Sequence, residues 1–172
     1  MQPIHVIQAR ANRWANAILY AELAKLSPEQ LNQASAANFG SIIGIANHTV
    51  LADRAWLQRF TGVGEPLMNV DAVPWPEFAR LRAEREAEDA RVVAFAEAVL
   101  DDNNPARLSG TLRYTSTSGQ SCAEPLAVCL AHFFNHQTFH RGQLHALLGV
   151  HGITCPNLDL IHYHVAHRDE TA

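Results

Sequence analysis

Apolar residues recur at intervals of three and four along four long segments of this 172-residue chain, which is the period of an α-helix. In the second segment, Ile42, Ile45, Thr49, Ala52 and Trp56 fall on one face. The pattern predicts helices over residues 3–26, 38–60, 77–101 and 123–148. Four long helices in a chain of this length favour an all-α four-helix bundle, and we expect residues 1–172 to form one domain.

The segments between and around these helices carry their own signals. The stretch "ARLSGTLRYTSTSGQSC" combines β-forming residues with two glycines, so we expect a small hairpin or extended crossing before the last long helix. Ser27 and Pro28 predict a cap and the first turn of a further helix. We expect the tail, "IHYHVAHRDETA", to be extended.

The apolar stripes of the third and first helices predict which of their faces form the core. In the third helix Arg85 and Glu88 fall on the apolar face. We interpret them as part of a wide solvated face with charge pairs three and four residues apart, and the alternative is that they face a polar pocket. The stripe predicted for the first helix consists of Ile4, Ile7, Ala11, Trp14, Ile18 and Ala21.

Composition excludes several classes of function. The net charge is −4 with neutral histidines, and the arginines are scattered, so direct nucleic-acid binding is disfavoured. No apolar run approaches the roughly 18 residues of a membrane span, and the N-terminus lacks the features of a signal peptide. Three cysteines without a CxxC pair indicate no disulfide framework. We therefore expect a cytoplasmic protein without a membrane role.

The segment "HFFNHQTFHRGQLH" holds four of the ten histidines. His132, His136 and His140 are spaced by four, and two imidazoles so placed on a helix can reach one ion. Either adjacent pair can do so, but His132 and His140 are about 12 Å apart along the axis. His145 lies on the opposite face from His136.

A pair of histidines needs a further ligand from another helix, and His48 is the candidate. It lies on the border of the second helix's apolar stripe, and Gly44, one turn earlier, leaves room nearby. Three neutral histidines with open positions are typical of a catalytic metal site. The alternatives are that His48 is a hydrogen-bonded core residue and that the HxxxH spacing has no metal role.

Other catalytic motifs fit worse. Gln137 stands where an HExxH zinc protease has its glutamate base, and an amide cannot accept that proton. The chain has no ExxH motif for a di-iron site, and it has no GxSxG, Walker A or GxGxxG motif.

Three stretches, "RANRWANAILYAELAKL", "SIIGIANHTVLADRAWLQRF" and "HFFNHQTFHRGQLHALLGVHG", resemble the DinB family of bacterial proteins, also called DinB/YfiT-like. The resemblance extends over nearly the whole chain, and its most specific motif is NHxxxHRGQ. It implies a bundle in down-up-up-down order with a long crossing between the middle helices. It also implies a homodimer and one divalent metal ion, nickel or zinc, held by His48, His136 and His140.

The resemblance also bears on the residues around these ligands. It places His132 outside the ligand set, and Asp53, Arg141 and Gln143 stand at family-like positions. We expect that Asp53 orients a histidine, or else that it is a surface carboxylate or an ion-pair partner of Arg54 or Arg141. Phe139 departs from the family pattern, in which a histidine is common.

Three hypotheses for function follow. In the first, the protein is a metal-dependent enzyme acting on a small-molecule substrate. The family resemblance suggests a transferase using a low-molecular-weight thiol such as bacillithiol or mycothiol, because a divalent ion stabilises a thiolate at neutral pH. Metal-assisted hydrolysis is the alternative reaction. In the second, it is a non-catalytic metal-binding or stress-response interaction protein, and in the third the histidines bind no metal.

Overall fold

The long helices overlap the segments that the periodicity predicts, and the hairpin lies in the β-forming stretch. The predicted end of the third helix, at residue 101, lies outside the described residues. The computed structural model describes residues 2–99 and 108–171. The long helices are α1 (Ile4–Leu23), α3 (Ile42–Thr61), α4 (Phe78–Val99) and α5 (Leu126–Val150). Strands β1 (Thr111–Thr115) and β2 (Ser121–Pro125) form an antiparallel hairpin, and the short helices are α2 (Pro28–Asn32), α6 (Leu160–Ala166) and α7 (Arg168–Thr171). The all-α prediction is confirmed.

The helix ends have identifiable local causes. The Ser27 hydroxyl accepts a hydrogen bond from the Gln30 backbone, and this capping box begins α2 as predicted. Ser41 caps α3 in the same way, so this helix begins at Ile42 and not at residue 38. Gly62 ends it in the left-handed conformation, with φ of 70°. The last long helix begins later than predicted because residues 121–125 pair with β1.

Contacts between neighbouring helices show their relative directions. Helices α1 and α4 are antiparallel, α3 and α4 are parallel, and α3 and α5 are antiparallel. For α1 and α4 the contacting pairs are Arg10–Glu97 and Asn16–Asp89. For α3 and α4 they are Asp53–Arg85 and Phe60–Phe95. For α3 and α5 they are Trp56–His132 and His48–His140. The order is therefore down-up-up-down, and residues 62–77 make the long crossing between the parallel helices α3 and α4.

The buried face of α1 is rotated from the predicted stripe. Ile4 is 53 % exposed and Ala21 is also exposed, whereas Asn12 and Asn16 are buried. The remaining buried residues of the helix are Val6, Ile7, Ala9, Ala11, Ala15, Leu19, Tyr20 and Leu23. The two asparagines belong to the core because they meet a polar group on α4.

The interpretation of Arg85 and Glu88 as a solvated face is wrong. The two residues are only 2 % and 0 % exposed. An Arg85 nitrogen lies 2.7 Å from Asp53 of α3 and another lies 3.1 Å from Asp89, while Glu88 accepts hydrogen bonds from Arg54 and Arg91. Burial of these charges is tolerated because each has a charged partner.

The tail also differs from its prediction. It forms α6 and α7 and is not extended. Tyr163 of α6 is buried against Ile7, Ala11 and Trp14 of α1, so apolar packing on the bundle accounts for the helix. None of the described helices combines the length and apolar character that a membrane crossing requires.

The buried carboxylate of Asp89 predicts a pH dependence of stability. Its oxygen accepts hydrogen bonds from Asn12 and Asn16, at 3.3 and 2.9 Å, and burial raises its pKa to about 6. The folded protein therefore binds this proton more tightly than the unfolded chain. The resulting stabilisation is present near pH 4 and is lost as the pH rises through 6.

We expect the free energy of unfolding of the wild type, minus that of Asp89→Asn, to fall by up to about 3 kcal/mol between pH 4 and pH 7. Urea unfolding of both proteins at each pH measures it, and the histidine contributions cancel in the difference. If this difference in the free energy of unfolding rises with pH instead, the ion pair with Arg85 lowers the pKa of Asp89 by more than burial raises it.

Candidate metal centre

Three imidazole nitrogens converge between α3 and α5. The Nε2 atom of His136 lies 3.3 Å from Nε2 of His48 and 3.1 Å from Nε2 of His140. One nitrogen from each of the three lies within 4.8 Å of the others, and they form a possible metal-holding group among the described residues. His48 and His140 are buried and His136 is partly buried. The fold thus brings the HxxxH pair and the histidine of α3 together.

The tautomers of two of these histidines follow from their other ring nitrogens. Nδ1 of His48 lies 2.9 Å from the Val70 carbonyl oxygen, which can only accept, so this nitrogen carries the proton. Nδ1 of His140 lies 2.7 Å from Oε1 of Gln143 and is a donor for the same reason. Each neutral ring then presents an unprotonated Nε2 to the centre.

This arrangement fits a metal ion better than a hydrogen-bonded histidine cluster. His136 faces two lone pairs, and one N–H can satisfy only one of them. Additional protons are disfavoured, because burial together with His140 and His48 lowers the pKa of His136 to about 3. Burial also lowers the pKa values of His48 and His140. A divalent ion can accept all three lone pairs, and ligands 2.0–2.1 Å from a tetrahedral ion are about 3.4 Å apart.

Phe39 is a residue of this centre that the sequence analysis missed. Its ring stacks on His48 with 3.8 Å between the ring centroids and 15° between the planes. Its backbone has φ of 63°, a conformation rare outside glycine. A Cβ on Gly44 would lie 2.0 Å from the Phe39 carbonyl oxygen. The room at Gly44 is therefore taken by the Phe39 backbone.

The long crossing supplies the other support for His48. The Asn47 side chain accepts a hydrogen bond from the Trp75 backbone N–H and donates one to its carbonyl, each at 3.0 Å. This attachment holds the crossing against α3, where the Val70 carbonyl meets His48 and an Asp71 oxygen lies 3.7 Å from the same nitrogen. A backbone acceptor leaves no signal in sequence, although Asn47 stands in the "NHTVLAD" motif.

Two of the other predicted site residues lie close to the ligands. Gln143 holds His140 by the hydrogen bond described above. His132 is exposed and lies against Trp56, with ring centroids 5.1 Å apart. Its ring centroid is 5.6 Å from that of His136, and it is not a member of the converging group.

Asp53 lies in the bundle interior and Arg141 is partly buried, and neither belongs to the converging group of histidines. Asp53 is 1 % exposed, so it is not a surface carboxylate. It pairs with Arg85, not with Arg54 or Arg141, and it accepts a hydrogen bond of 2.9 Å from Gln137. Arg141 donates to Asn12 and Asn16 of α1 and to Thr138. The described contacts of Asp53 thus join α3 to α4 and α5 and include no histidine.

Comparisons with known proteins agree with this architecture. The family model described as "DinB family" matches residues 6–171. Protein DinB of Bacillus subtilis (strain 168) is 26 % identical over 137 residues, which cover 80 % of each chain. The crystal structure of a DinB-like protein from Bacillus cereus ATCC 10987 is similar in fold, with a TM-score of 0.58 and 19 % identity. That match covers 83 % of this chain and 89 % of the other.

The close approach at Gly44 yields a prediction. Gly44→Ala would force the Phe39 backbone away from α3, and we expect a loss of about 1–3 kcal/mol in the free energy of unfolding. We also expect weaker metal retention, because Phe39 would no longer stack on His48. Urea unfolding and elemental analysis measure the two effects.

Gly149→Ala is the matched control for this experiment. It is also a glycine in a long helix, and an added Cβ would meet nothing within 4 Å. We expect it to leave stability unchanged or to raise it by up to about 1 kcal/mol. Equal effects of the two substitutions would contradict the role assigned to Gly44.

Proposed function

The chain belongs to the DinB family, and from this premise we propose that it is a divalent-metal-dependent enzyme whose ion is held by His48, His136 and His140. The observation that carries the proposal is the convergence of three Nε2 atoms, two of them fixed as lone-pair donors by Val70 and Gln143. Hydrogen bonds to the outer nitrogens of metal ligands set both tautomer and orientation. His136 supplies the third ligand nitrogen.

The charge of the centre favours chemistry on an anion. Three neutral imidazoles leave a divalent ion with its full positive charge, and such an ion lowers the pKa of a thiol and stabilises the thiolate. The family resemblance suggests which anion this is, and on that basis we propose that the reaction is transfer of a low-molecular-weight thiol to an electrophilic small molecule. The thiol loses its proton to solvent, its sulfur bonds to the electrophilic carbon, and the leaving group departs with its electron pair.

The surroundings of the ligands support this assignment. Phe39 covers one face of His48, and Phe139, which is 58 % exposed, lies edge-on to His140 with 5.0 Å between ring centroids. Phe139 offers apolar surface beside the site for the body of an electrophile. We propose that Phe139 contacts the substrate and takes no part in ligation.

The proposal has further elements that the family resemblance supplies. Imidazole nitrogens suit zinc and nickel, which supports one of these as the native ion. On the same resemblance we propose that two copies form a homodimer. From the length and composition of the sequence we also propose that residues 1–172 form one domain and that the protein acts in the cytoplasm.

The metal content of untagged protein tests the ligand set. We expect about one equivalent in the wild type and loss of that metal in His48→Ala and His140→Ala, because two imidazoles make an incomplete site. His145→Ala is the matched control on α5 and should keep the metal, as should His132→Ala. Elemental analysis after gel filtration measures it, and retention of the metal in both ligand variants would refute the site.

The reaction needs its own test. Metal-loaded protein is incubated with 1-chloro-2,4-dinitrobenzene and, in turn, with cysteine, bacillithiol and mycothiol, and the loss of thiol is followed. We expect at least one thiol to react faster with the wild type and with His145→Ala than with His140→Ala. If the loaded wild type retains its ion but accelerates no thiol above the His140→Ala rate, the thiol-transfer proposal is rejected and the metal site stands.

A further inference from the structure

A cleft of about 620 Å³ lies on the other side of α5 from the three histidines. It is bounded by α1, by α5 and by residues 155–160, which lead into α6. Arg141 lines it and lies five residues beyond His136, about 140° around the helix axis. His145, also in its lining, is about 180° from His136. The cleft is therefore separate from the metal centre.

Arg141 brings a positive charge to this cleft. The acceptors described for its guanidinium are the neutral oxygens of Asn12, Asn16 at 3.5 Å and Thr138 at 3.2 Å. The buried acids Asp53 and Asp89 form their ion pairs with Arg85, and their negative charges also act on Arg141 from further away. A guanidinium keeps its proton in proteins, so the Arg141 side chain is a cation at neutral pH. A partly buried guanidinium whose hydrogen-bond acceptors are all neutral favours an anionic ligand in direct contact with it.

The rest of the lining narrows the class of anion. Gln8, Asn135 and Asn157 supply neutral amides, and Phe134 and Leu158 supply apolar surface. The acid of the lining, Asp159, is exposed. One guanidinium balances one negative charge, whereas a phosphate dianion would bring an uncompensated charge into the cleft. The volume lies within the range of small-molecule sites.

We propose that this cleft binds a small organic carboxylate, whose carboxylate group meets the guanidinium of Arg141 and whose body lies against Phe134 and Leu158. Binding is independent of the metal ion, because the cleft and the histidines occupy different faces of α5. The protein thus has a second ligand site behind its metal centre.

Benzoate is the probe, because it joins one carboxylate to a flat apolar ring. Calorimetric titration of the full-length protein should show saturable binding of benzoate. Benzamide, which has the same shape without the charge, and inorganic phosphate should each bind at least about tenfold more weakly, as expected when a charge-assisted hydrogen bond is lost or a charge is left uncompensated. Absence of saturable benzoate binding, or binding of benzamide or phosphate as tight as that of benzoate, would overturn the proposal.

Two variants locate the site. Arg141→Gln removes the cation, and Thr138→Glu places a carboxylate beside it at an exposed position, so each should weaken benzoate binding roughly tenfold or more. If Arg141→Gln fails to fold, Thr138→Glu decides the question alone. Unchanged benzoate affinity in the folded variants would place the carboxylate elsewhere and refute the site.

His48→Ala separates this proposal from the metal centre. It should bind benzoate as the wild type does, even though it has lost a metal ligand. Loss of benzoate binding in this variant would mean that benzoate reports on the metal centre, and the cleft proposal would fall. If the wild type holds no metal, the proposed three-histidine ligand set is refuted. The Arg141→Gln and Thr138→Glu variants still test whether the cleft binds benzoate.

Discussion

Arg85 is the residue on which the arrangement of the four long helices depends. Its guanidinium, buried on α4, lies within ion-pair distance of Asp53 on α3 and of Asp89 on its own helix. Asp53 in turn accepts a hydrogen bond from Gln137 of α5, and Asp89 accepts two from asparagines of α1. Each contact is directional and each member would be costly to bury alone, so sliding one helix past another breaks several at once.

Gln137 is the residue after His136, and Asp53 lies five residues beyond His48. The register that satisfies the buried charges is therefore the register that brings the histidines together.

The candidate metal centre adds a second layer of constraint to that register. The bundle brings three imidazoles together, but the tautomers of two of them are set by groups that are not ligands themselves. A backbone carbonyl of the long crossing fixes His48, and the Gln143 side chain fixes His140. The crossing reaches His48 because Asn47 holds it, and Phe39 reaches the ring because Gly44 has no side chain. Neutral ligands with oriented lone pairs are the condition for binding a divalent ion at neutral pH.

The periodicity of the sequence predicts the structural features that depend on residues close together in the chain. It does not predict the features that depend on contacts between helices. The four helices, the hairpin and the Ser27 cap follow from spacing and turn chemistry, which act over a few residues. The stripe of α1 was misplaced because Asn12 and Asn16 are buried, and a polar residue in a core has no apolar signature. The spacing predicts charge pairs of Arg85 and Glu88 within α4, but it assigns both residues to solvent because their partners on α3, Asp53 and Arg54, cannot be read from it. The sequence identifies the HxxxH histidines because i, i+4 spacing brings two of them together on one helix. It does not identify Val70, which acts through its backbone carbonyl, or Phe39, whose backbone has a positive φ.

X-ray absorption spectroscopy of protein carrying its metal ion tests the central claim most directly. The account predicts three imidazole nitrogens in the ligand shell, at about 2.0–2.1 Å if the ion is zinc, with the multiple scattering that rings produce. The same spectrum of His140→Ala should show one imidazole fewer or no ordered site. A sulfur ligand at about 2.3 Å, or a shell of oxygens without imidazole, would contradict the three-histidine centre.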